Sequence, residues 1–328
     1  MCEGAAKAKW TFMVYIAGDN NLSSAGAEDL REMREVGSTA DVNVLVQFDN
    51  AGTEGTRRFR VLKGGNDLVQ TLGETDSGDP NVLLDFVKWA QAGYPAERYA
   101  LILWNHGGGW EPLAIDTIAQ EVRSPGYSDR EGAERAASTL RRAFFRPTLE
   151  AILSLETPQD RAICVDDGSG HALDTIELGK VLDKTVAVLG QKLDLLGMDA
   201  CLMSNLEVAY QAQPYVNYVV ASEESEPNEG WPYELILAEL VAAPDMPTAE
   251  LARAIVAAYV QSYKAMGYSG DVTQAALDLS QLEALNGALD TFADALLARM
   301  PNNISAQIWK AQRKTKRFWH NTLADVGH

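Results

Sequence analysis

The chain has 328 residues, 46% hydrophobic and 23% charged, which excludes a mainly disordered protein and suits an α/β domain with additions. Its formal net charge of -18 disfavours nucleic acid and anionic membrane as partners, because binding phosphate needs basic patches. The same charge attracts cationic substrates and serves solubility equally well.

The first strand is expected over Thr11 to Ala17, which runs into the turn signal Gly18-Asp19-Asn20-Asn21. A helix follows from about Ser23 to Val36 with Leu30 and Met33 inward, then a buried strand from Val42 to Phe48 and a short one from Arg58 to Leu62. Asp79-Pro80 reads as an N-cap with proline in the first turn, opening a helix that Gly93 ends. Tyr99 to Trp104 is an apolar strand that runs into Asn105-His106-Gly107-Gly108-Gly109-Trp110. From about Thr117 to Arg161 periodicity fails and Arg, Glu, Ser and Gly dominate, which marks an exposed insertion.

Order resumes at Ile163 to Val165, and Asp174-Thr175-Ile176-Glu177 resembles a capping box before a helix with Leu178, Val181, Leu182, Thr185 and Leu189 on one face. Leu193 to Met198 is a strand ending at Asp199-Ala200-Cys201. A helix is expected to start there and reach Gln213, with Leu202, Leu206, Ala209 and Tyr210 inward and Pro214 as its stop. Tyr218 to Ala221 is a strand, followed by an acidic loop from Ser222 to Trp231 and helices at about Tyr233–Val241 and Thr248–Met266. Val272 to Leu279 reads as one more strand and the rest as helix. Strands alternating with helices imply a mostly parallel central sheet sandwiched by helices. The expected layout is one domain over 10–280, with the insertion at 117–161, and a helical C-terminal segment over 281–328.

No apolar stretch approaches the ~20 residues a bilayer span needs, and Met1 to Lys9 hold no apolar signal core. A secreted or cell-surface location would therefore depend on a leader removed from this sequence. The three cysteines, Cys2, Cys164 and Cys201, form neither a disulfide framework nor a Cys-x-x-Cys zinc pattern.

Two strand ends carry the chemistry. Ligands of open α/β sheets bind at the carboxyl ends of strands, and right-handed crossovers put parallel strand ends on one edge. His106-Gly107 and Asp199-Ala200-Cys201 therefore meet there, 95 residues apart in sequence. A cysteine at a helix N-terminus has a lowered thiol pKa, because free N–H groups stabilise thiolate; its bland alternative is a small buried side chain. The histidine is either a catalytic base or the residue before a glycine turn. The N–H groups of Gly107 and Cys201 are the candidate oxyanion hole.

Together these residues resemble the caspase-like cysteine peptidases, and specifically the clostripain family. The resemblance rests on Met13-Val14-Tyr15-Ile16-Ala17-Gly18-Asp19-Asn20-Asn21-Leu22, on Trp104 to Trp110, on Asp199-Ala200-Cys201-Leu202-Met203, and on Ala221-Ser222-Glu223-Glu224 through Gly230-Trp231-Pro232-Tyr233. It implies a caspase-like fold and a cysteine endopeptidase that uses a His106–Cys201 dyad to cleave protein or peptide substrates after Arg or Lys. It implies Asp199 as the acid of the S1 pocket, which binds the residue before the cleaved bond; from sequence alone a helix cap is nearly as good a reading. Glu229 is a second candidate acid, or a solvated loop charge.

The resemblance also implies activation by self-cleavage between the two motifs, where Arg123, Arg130, Arg135, Arg141, Arg142 and Arg146 lie in the insertion, with an Arg-rich surface helix as the alternative. The expected state is a monomer or a self-processed two-fragment assembly. No cofactor is required, and calcium is a structural or activating ion of some relatives, with Asp19, Asp166, Asp167 and Asp174 as its candidate ligands. His171 reads as a surface turn residue, and Lys310 to Arg317 beside His320 as a solvated helix face. The rival functions are a catalytically inactive caspase-like binding protein, and a hydrolase or transferase of another class using Glu223, Glu224, Glu226 and Glu229.

Overall fold

Alternate residues of the central strands point to opposite faces, and both faces are buried, so both sets are apolar. In the computed structural model, which describes residues 7–108, 162–268, 272–299, 304–318 and 323–325, this gives one eight-stranded sheet between two helical layers. Strands β1 (Ala8–Gly18), β2 (Val42–Asn50), β3 (Thr56–Leu62), β4 (Gly65–Gly73), β5 (Ala96–Trp104), β8 (Leu193–Asp199), β9 (Val216–Ala221) and β10 (Ala275–Asp278) stand in the order β10-β9-β8-β5-β1-β2-β3-β4. The five central strands, β9, β8, β5, β1 and β2, are parallel; β3, β4 and β10 add antiparallel edges.

Met13, Tyr15, Leu101, Leu103, Leu196 and Met198 face one layer. That layer is built from α2 (Pro80–Gly93), α3 (Thr175–Leu189) and α4 (Leu206–Ala212). Phe12, Val14, Ile16, Val44, Val46 and Ile102 face the other, built from α1 (Ser23–Val36), α5 (Tyr233–Ala242) and α6 (Thr248–Ala265). Each such side chain, removed from water, contributes about 1.5–3 kcal/mol. The caps stand where the sequence puts them: Asp79 accepts from Asn81 N–H at the start of α2, and Asp174 with Glu177 forms a capping box on α3.

Several elements differ from the sequence reading. The strand at 58–62 begins earlier and has a partner, β4, whose exposed residues carry no apolar alternation. β6 (Ala162–Asp166) does not join the central sheet; it pairs with β7 (His171–Asp174) in a hairpin. His171 thus opens a strand and is half-buried, with Nδ1 2.8 Å from Asp76 Oδ2. The helix after Cys201 starts only at Leu206, capped by Asn205, and Tyr210 on it is exposed rather than inward. The tail is not wholly helical: after α7 (Leu282–Arg299) and α8 (Ser305–Gln312), β11 (Arg317–Phe318) pairs with β12 (Leu323–Ala324). The basic stretch at 310–317 therefore spans a helix end, a turn and a strand instead of one helix face. Among the described residues no helix is long and apolar enough to cross a membrane. The insertion at 117–161, with all six candidate arginines, lies outside the described residues, as do Gly109, Trp110 and His320.

Candidate active site

The strand order reverses beside β1: one crossover leads outward to β2, and the next return lands on β5. Ligands of α/β sheets bind at such switch points, and the predicted residues gather at this one. β5 and β8 are neighbours in register, with Trp104 opposite Asp199. Beyond that pair Asn105 N–H donates to Asp199 C=O at 3.2 Å. The two chains stay so close that a Cβ on Gly107 would lie 2.2 Å from Cys201 O. Any side chain there would push the strand ends apart, which is why this position is glycine.

Asparagine side chains stitch the loops that hold the site. Asn105 Nδ2 donates to Ala17 O and, at 2.9 Å, to Val165 O, while its Oδ1 accepts from Val165 N–H at 3.0 Å. Asn20 Nδ2 donates to the same two carbonyls at 2.9 and 3.0 Å. The ends of β1, β5 and β6 are thereby fixed to one another without a regular ladder.

His106 is 4% exposed, and its Nε2 lies 3.1 Å from Asn21 Oδ1. With that oxygen as acceptor, Nε2 carries the proton and Nδ1 the lone pair. Burial lowers the imidazole pKa to about 3. Cys201 is 7% exposed, and its Sγ accepts from Glu226 N–H at 3.3 Å. Burial pushes its thiol up to about 11, against the smaller opposing effect of that N–H. The helix-terminus effect expected from sequence is missing, since α4 begins five positions later. Instead a tight turn follows Cys201, with Leu202 at φ 63° and its N–H donating to Glu224 O at 3.2 Å. A left-handed leucine costs about 1 kcal/mol or more, and the buried side chain of Leu202 (2% exposed) holds it there.

Two residues before the cysteine, Asp199 is 4% exposed and caps no helix. Its Oδ2 accepts from Tyr233 Oη at 2.9 Å and Trp231 N–H at 3.2 Å. Burial raises its pKa to about 6. Gly230, at φ 58°, lets the loop pass between two acids: a Cβ there would stand 3.2 Å from Asp199 Oδ2 and 3.3 Å from Asp29 Oδ2. Asp29, buried on α1, accepts from Trp104 Nε1 at 2.5 Å and is pushed well up by burial and by Asp199. Glu229, the second acid suggested by sequence, is exposed on the loop, whereas Glu226 is 8% exposed and lies within electrostatic reach of Asp199.

Of the aspartates proposed for calcium, Asp19, Asp166 and Asp167 stand close together, and burial with the neighbouring acids pushes the carboxyls of Asp19 and Asp167 up. Asp166 accepts from Ser77 and Ser169 N–H, and Asp174 caps α3. Among the described residues no three His, Cys, Asp or Glu side chains are grouped to hold a metal ion.

A family model described as the clostripain family matches residues 14–143 and 150–325. The chain belongs to the clostripain family. Among curated relatives, clostripain of Hathewaya histolytica is 28% identical over 234 residues, covering 63% of this chain and 36% of that protein. The chain thus spans about a third of that relative's length. Two solved structures share the fold. One is a secreted C11 cysteine protease from Bacteroides thetaiotaomicron in complex with an irreversible peptide inhibitor, with TM-score 0.58 and 24% identity over 86% of this chain and 69% of that one. The other is an inactive zymogen C11 protease from Parabacteroides distasonis, with TM-score 0.56 and 22% identity over 85% and 64%. The caspase-like fold expected from sequence is therefore present in this clostripain-family chain.

The sequence reading missed Asn21 beside His106 and Asp29 beside Gly230. It placed Glu226 only in an undifferentiated acidic cluster. Asn21 lies in the turn signal after β1 and in the stretch that carries the family resemblance, neither of which assigns it a role. Asp29 stands on the apolar face of a helix, where a carboxylate among Leu30 and Met33 signals a buried partner.

Proposed function

We propose that this chain is a cysteine endopeptidase that cleaves after Arg or Lys, with Cys201 as nucleophile and His106 as acid and base. The observation that carries the reading is the apposition of the β5 and β8 ends, which sets His106-Gly107 against Cys201 with a buried carboxyl, Asp199, two residues before the sulfur. Cys201 loses its proton to His106 and adds to the substrate carbonyl; the oxyanion takes N–H bonds from the Gly107–Cys201 region. The tetrahedral adduct collapses to a thioester as His106 gives its proton to the leaving amine. Water, deprotonated by His106, then cleaves the thioester. Asp199 holds the guanidinium or ammonium of the residue before the scissile bond. Only protein groups are needed.

The resting pair consists of neutral thiol and neutral imidazole, because both are buried. Proton transfer within it waits for substrate to displace the 222–231 loop, whose Glu226 N–H now covers the sulfur. The proposal extends to activation: self-cleavage after an Arg of the 117–161 segment frees the mouth of the site. The relative named as an inactive zymogen supports that reading.

The test is cleavage of fluorogenic peptides carrying Arg, Lys or an uncharged residue before the bond. Wild type cleaves the cationic ones, and Cys201→Ala and His106→Ala lose ~10⁴-fold or more while keeping the wild-type melting profile. Arg cleavage retained by Cys201→Ala would overturn the reading.

A further inference from the structure

Glu32 stands on α1, half-buried where that helix packs against the start of α5. Its Oε2 accepts from Tyr233 N–H at 3.2 Å. Tyr233 is the first residue of α5, and Pro232 before it gives that helix no side-chain cap. Glu32 thus supplies, from another helix, an acceptor that a helix start needs. Glu234, in the first turn of α5, brings a second carboxyl to the same place, and its Oε2 is buried without a hydrogen-bond partner among the described residues. Two carboxyls in such a place do not both ionise without a counter-charge. The charged side chains that face Glu32 are acids: Glu28 and Asp29 on its own helix and Glu234 on α5. The strands beneath α1 present apolar residues to it, among them Ile16, Phe48 and Phe59. The nearby arginines are engaged elsewhere: Arg31 with Glu28 and Glu35, Arg57 with Glu54, and Arg58 and Arg60 over rings of the opposite layer. Burial and the Glu234 carboxyl raise Glu32 from an ordinary 4.5 to about 8.

We propose that Glu32 is a positioning residue for the substrate pocket: with Glu234 it clamps the start of α5 through one shared proton, and loss of that proton loosens the hold of Tyr233 and Trp231 on Asp199. The inference rests on the reading of Asp199 above and adds to it the element that aims the carboxyl. Tyr233 links the two sites, because its backbone N–H is on Glu32 while its Oη is on Asp199 at 2.9 Å. Trp231, two residues earlier, donates its N–H to the same Asp199 oxygen at 3.2 Å. A shift at the start of α5 therefore lengthens both bonds that orient Asp199. His106 and Cys201 stand on strand ends tied by other bonds, so the effect falls on binding of the cationic side chain.

In the closed clamp one Glu32 oxygen accepts from Tyr233 N–H and the other donates its proton to Glu234. As pH rises that proton passes to solvent, the O–H donor is lost, and two carboxylates repel across the α1–α5 contact. Because the folded value lies above the ordinary one, the stabilisation is complete below about 4.5 and is lost as pH climbs through about 8.

Two measurements test the clamp. In wild type, KM for an Arg peptide is expected to rise at least about threefold from pH 7 to 9. The rise is lost in Glu32→Gln, whose amide keeps an oxygen for Tyr233 N–H and an N–H for Glu234 at every pH. Glu32→Ala is expected to raise KM at least about fivefold at pH 7 with kcat within about twofold, Glu32→Gln to recover most of that loss, and the citrulline analogue of the peptide to show neither effect. The melting temperature of wild type is expected to fall from pH 7 to 9, above the range in which Asp199 titrates, and to fall less in Glu32→Gln. Equal KM rises in wild type and Glu32→Gln, a wild-type KM in Glu32→Ala, equal losses on the Arg and citrulline peptides, or parallel melting curves overturn the inference. Should Glu32→Ala fail to fold, Glu32→Gln and the melting curves decide. Arg cleavage at a wild-type rate by Asp199→Asn sinks the underlying reading alone, since the melting comparison needs no substrate and still tests the clamp.

Discussion

Asp199 holds its carboxyl in the core, where burial makes its ionisation costly. Its pKa is raised by burial to about 6 from an ordinary 3.8. A raised acid stabilises the fold fully below its unfolded pKa, and that stability is lost as pH climbs through 6. Asp199→Asn keeps an acceptor for Tyr233 Oη and Trp231 N–H and carries no charge. It is expected to be about 1–3 kcal/mol more stable than wild type in urea at pH 8, the gap closing as pH falls from about 6 to 3.8, while losing Arg cleavage. Equal stability at pH 8 would show that water or a counter-ion already relieves the charge.

The same low polarity governs the dyad. With the thiol at about 11, alkylation of the resting protein by iodoacetamide is expected to be slow at pH 7 and to rise roughly tenfold per pH unit towards 11. A plateau beginning below pH 8 would mean that an ion pair exists already at rest. Asn21 acts on the reaction through His106. Asn21→Ala is expected to cut kcat about 10–100-fold with KM nearly unchanged, because the imidazole loses the bond that sets its tautomer and angle.

The strand ends depend on contacts that only a small residue permits. Gly107→Ala places a methyl 2.2 Å from Cys201 O, where backbone must move. The expected cost is about 1–3 kcal/mol in thermal or urea unfolding, together with near-complete loss of activity. A variant with wild-type stability would mean that the β5 and β8 ends part more readily than their register suggests. The loop from Ser222 to Trp231 is the complementary element. Its ends are anchored by Ser204 N–H on Ser222 O, Trp231 N–H on Asp199 Oδ2 and the fully buried Trp231 ring, while its middle is held by the Glu226 N–H on Cys201 Sγ, by Leu202 N–H on Glu224 O and by Thr273 Oγ1, which accepts from Glu223 and Glu224 N–H. Opening is therefore confined to the middle of the loop and costs less than unfolding the sheet.

Across the whole molecule, the segment proposed for self-cleavage joins two halves of one sheet. β1 to β5 precede it and β8 to β10 follow it, and the halves meet along β5–β8 from Ala100↔Leu195 to Trp104↔Asp199. Both cores cross that seam. After cleavage within 117–161 the two pieces are expected to co-elute in gel filtration and to separate only in denaturant. Cys201→Ala is expected to remain one chain. Fragments that separate without denaturant would contradict the shared-sheet account, and equal nicking of Cys201→Ala would point to another protease.

The sequence by itself determined the parts written in local chemistry. Apolar β-rich runs gave the parallel strands at β1, β2, β5, β8 and β9, and Asp79-Pro80 and Asp174-Thr175-Ile176-Glu177 gave helix starts. The glycine after His106 and the Ala-Cys pair marked the two strand ends, because those signals lie within a few residues. Tertiary structure decided what depends on distant neighbours. The edge strand β4 has no apolar alternation to reveal it, since water covers its surroundings. Cys201 loses its expected helix terminus because Leu202 turns the chain to meet Glu224. Which glutamate of Glu223, Glu224, Glu226 and Glu229 turns inward is invisible in sequence, because the four are the same residue in one irregular loop. The folded loop, tied to Asp199 by Trp231 N–H and Tyr233 Oη, buries Glu226 and leaves Glu229 in water.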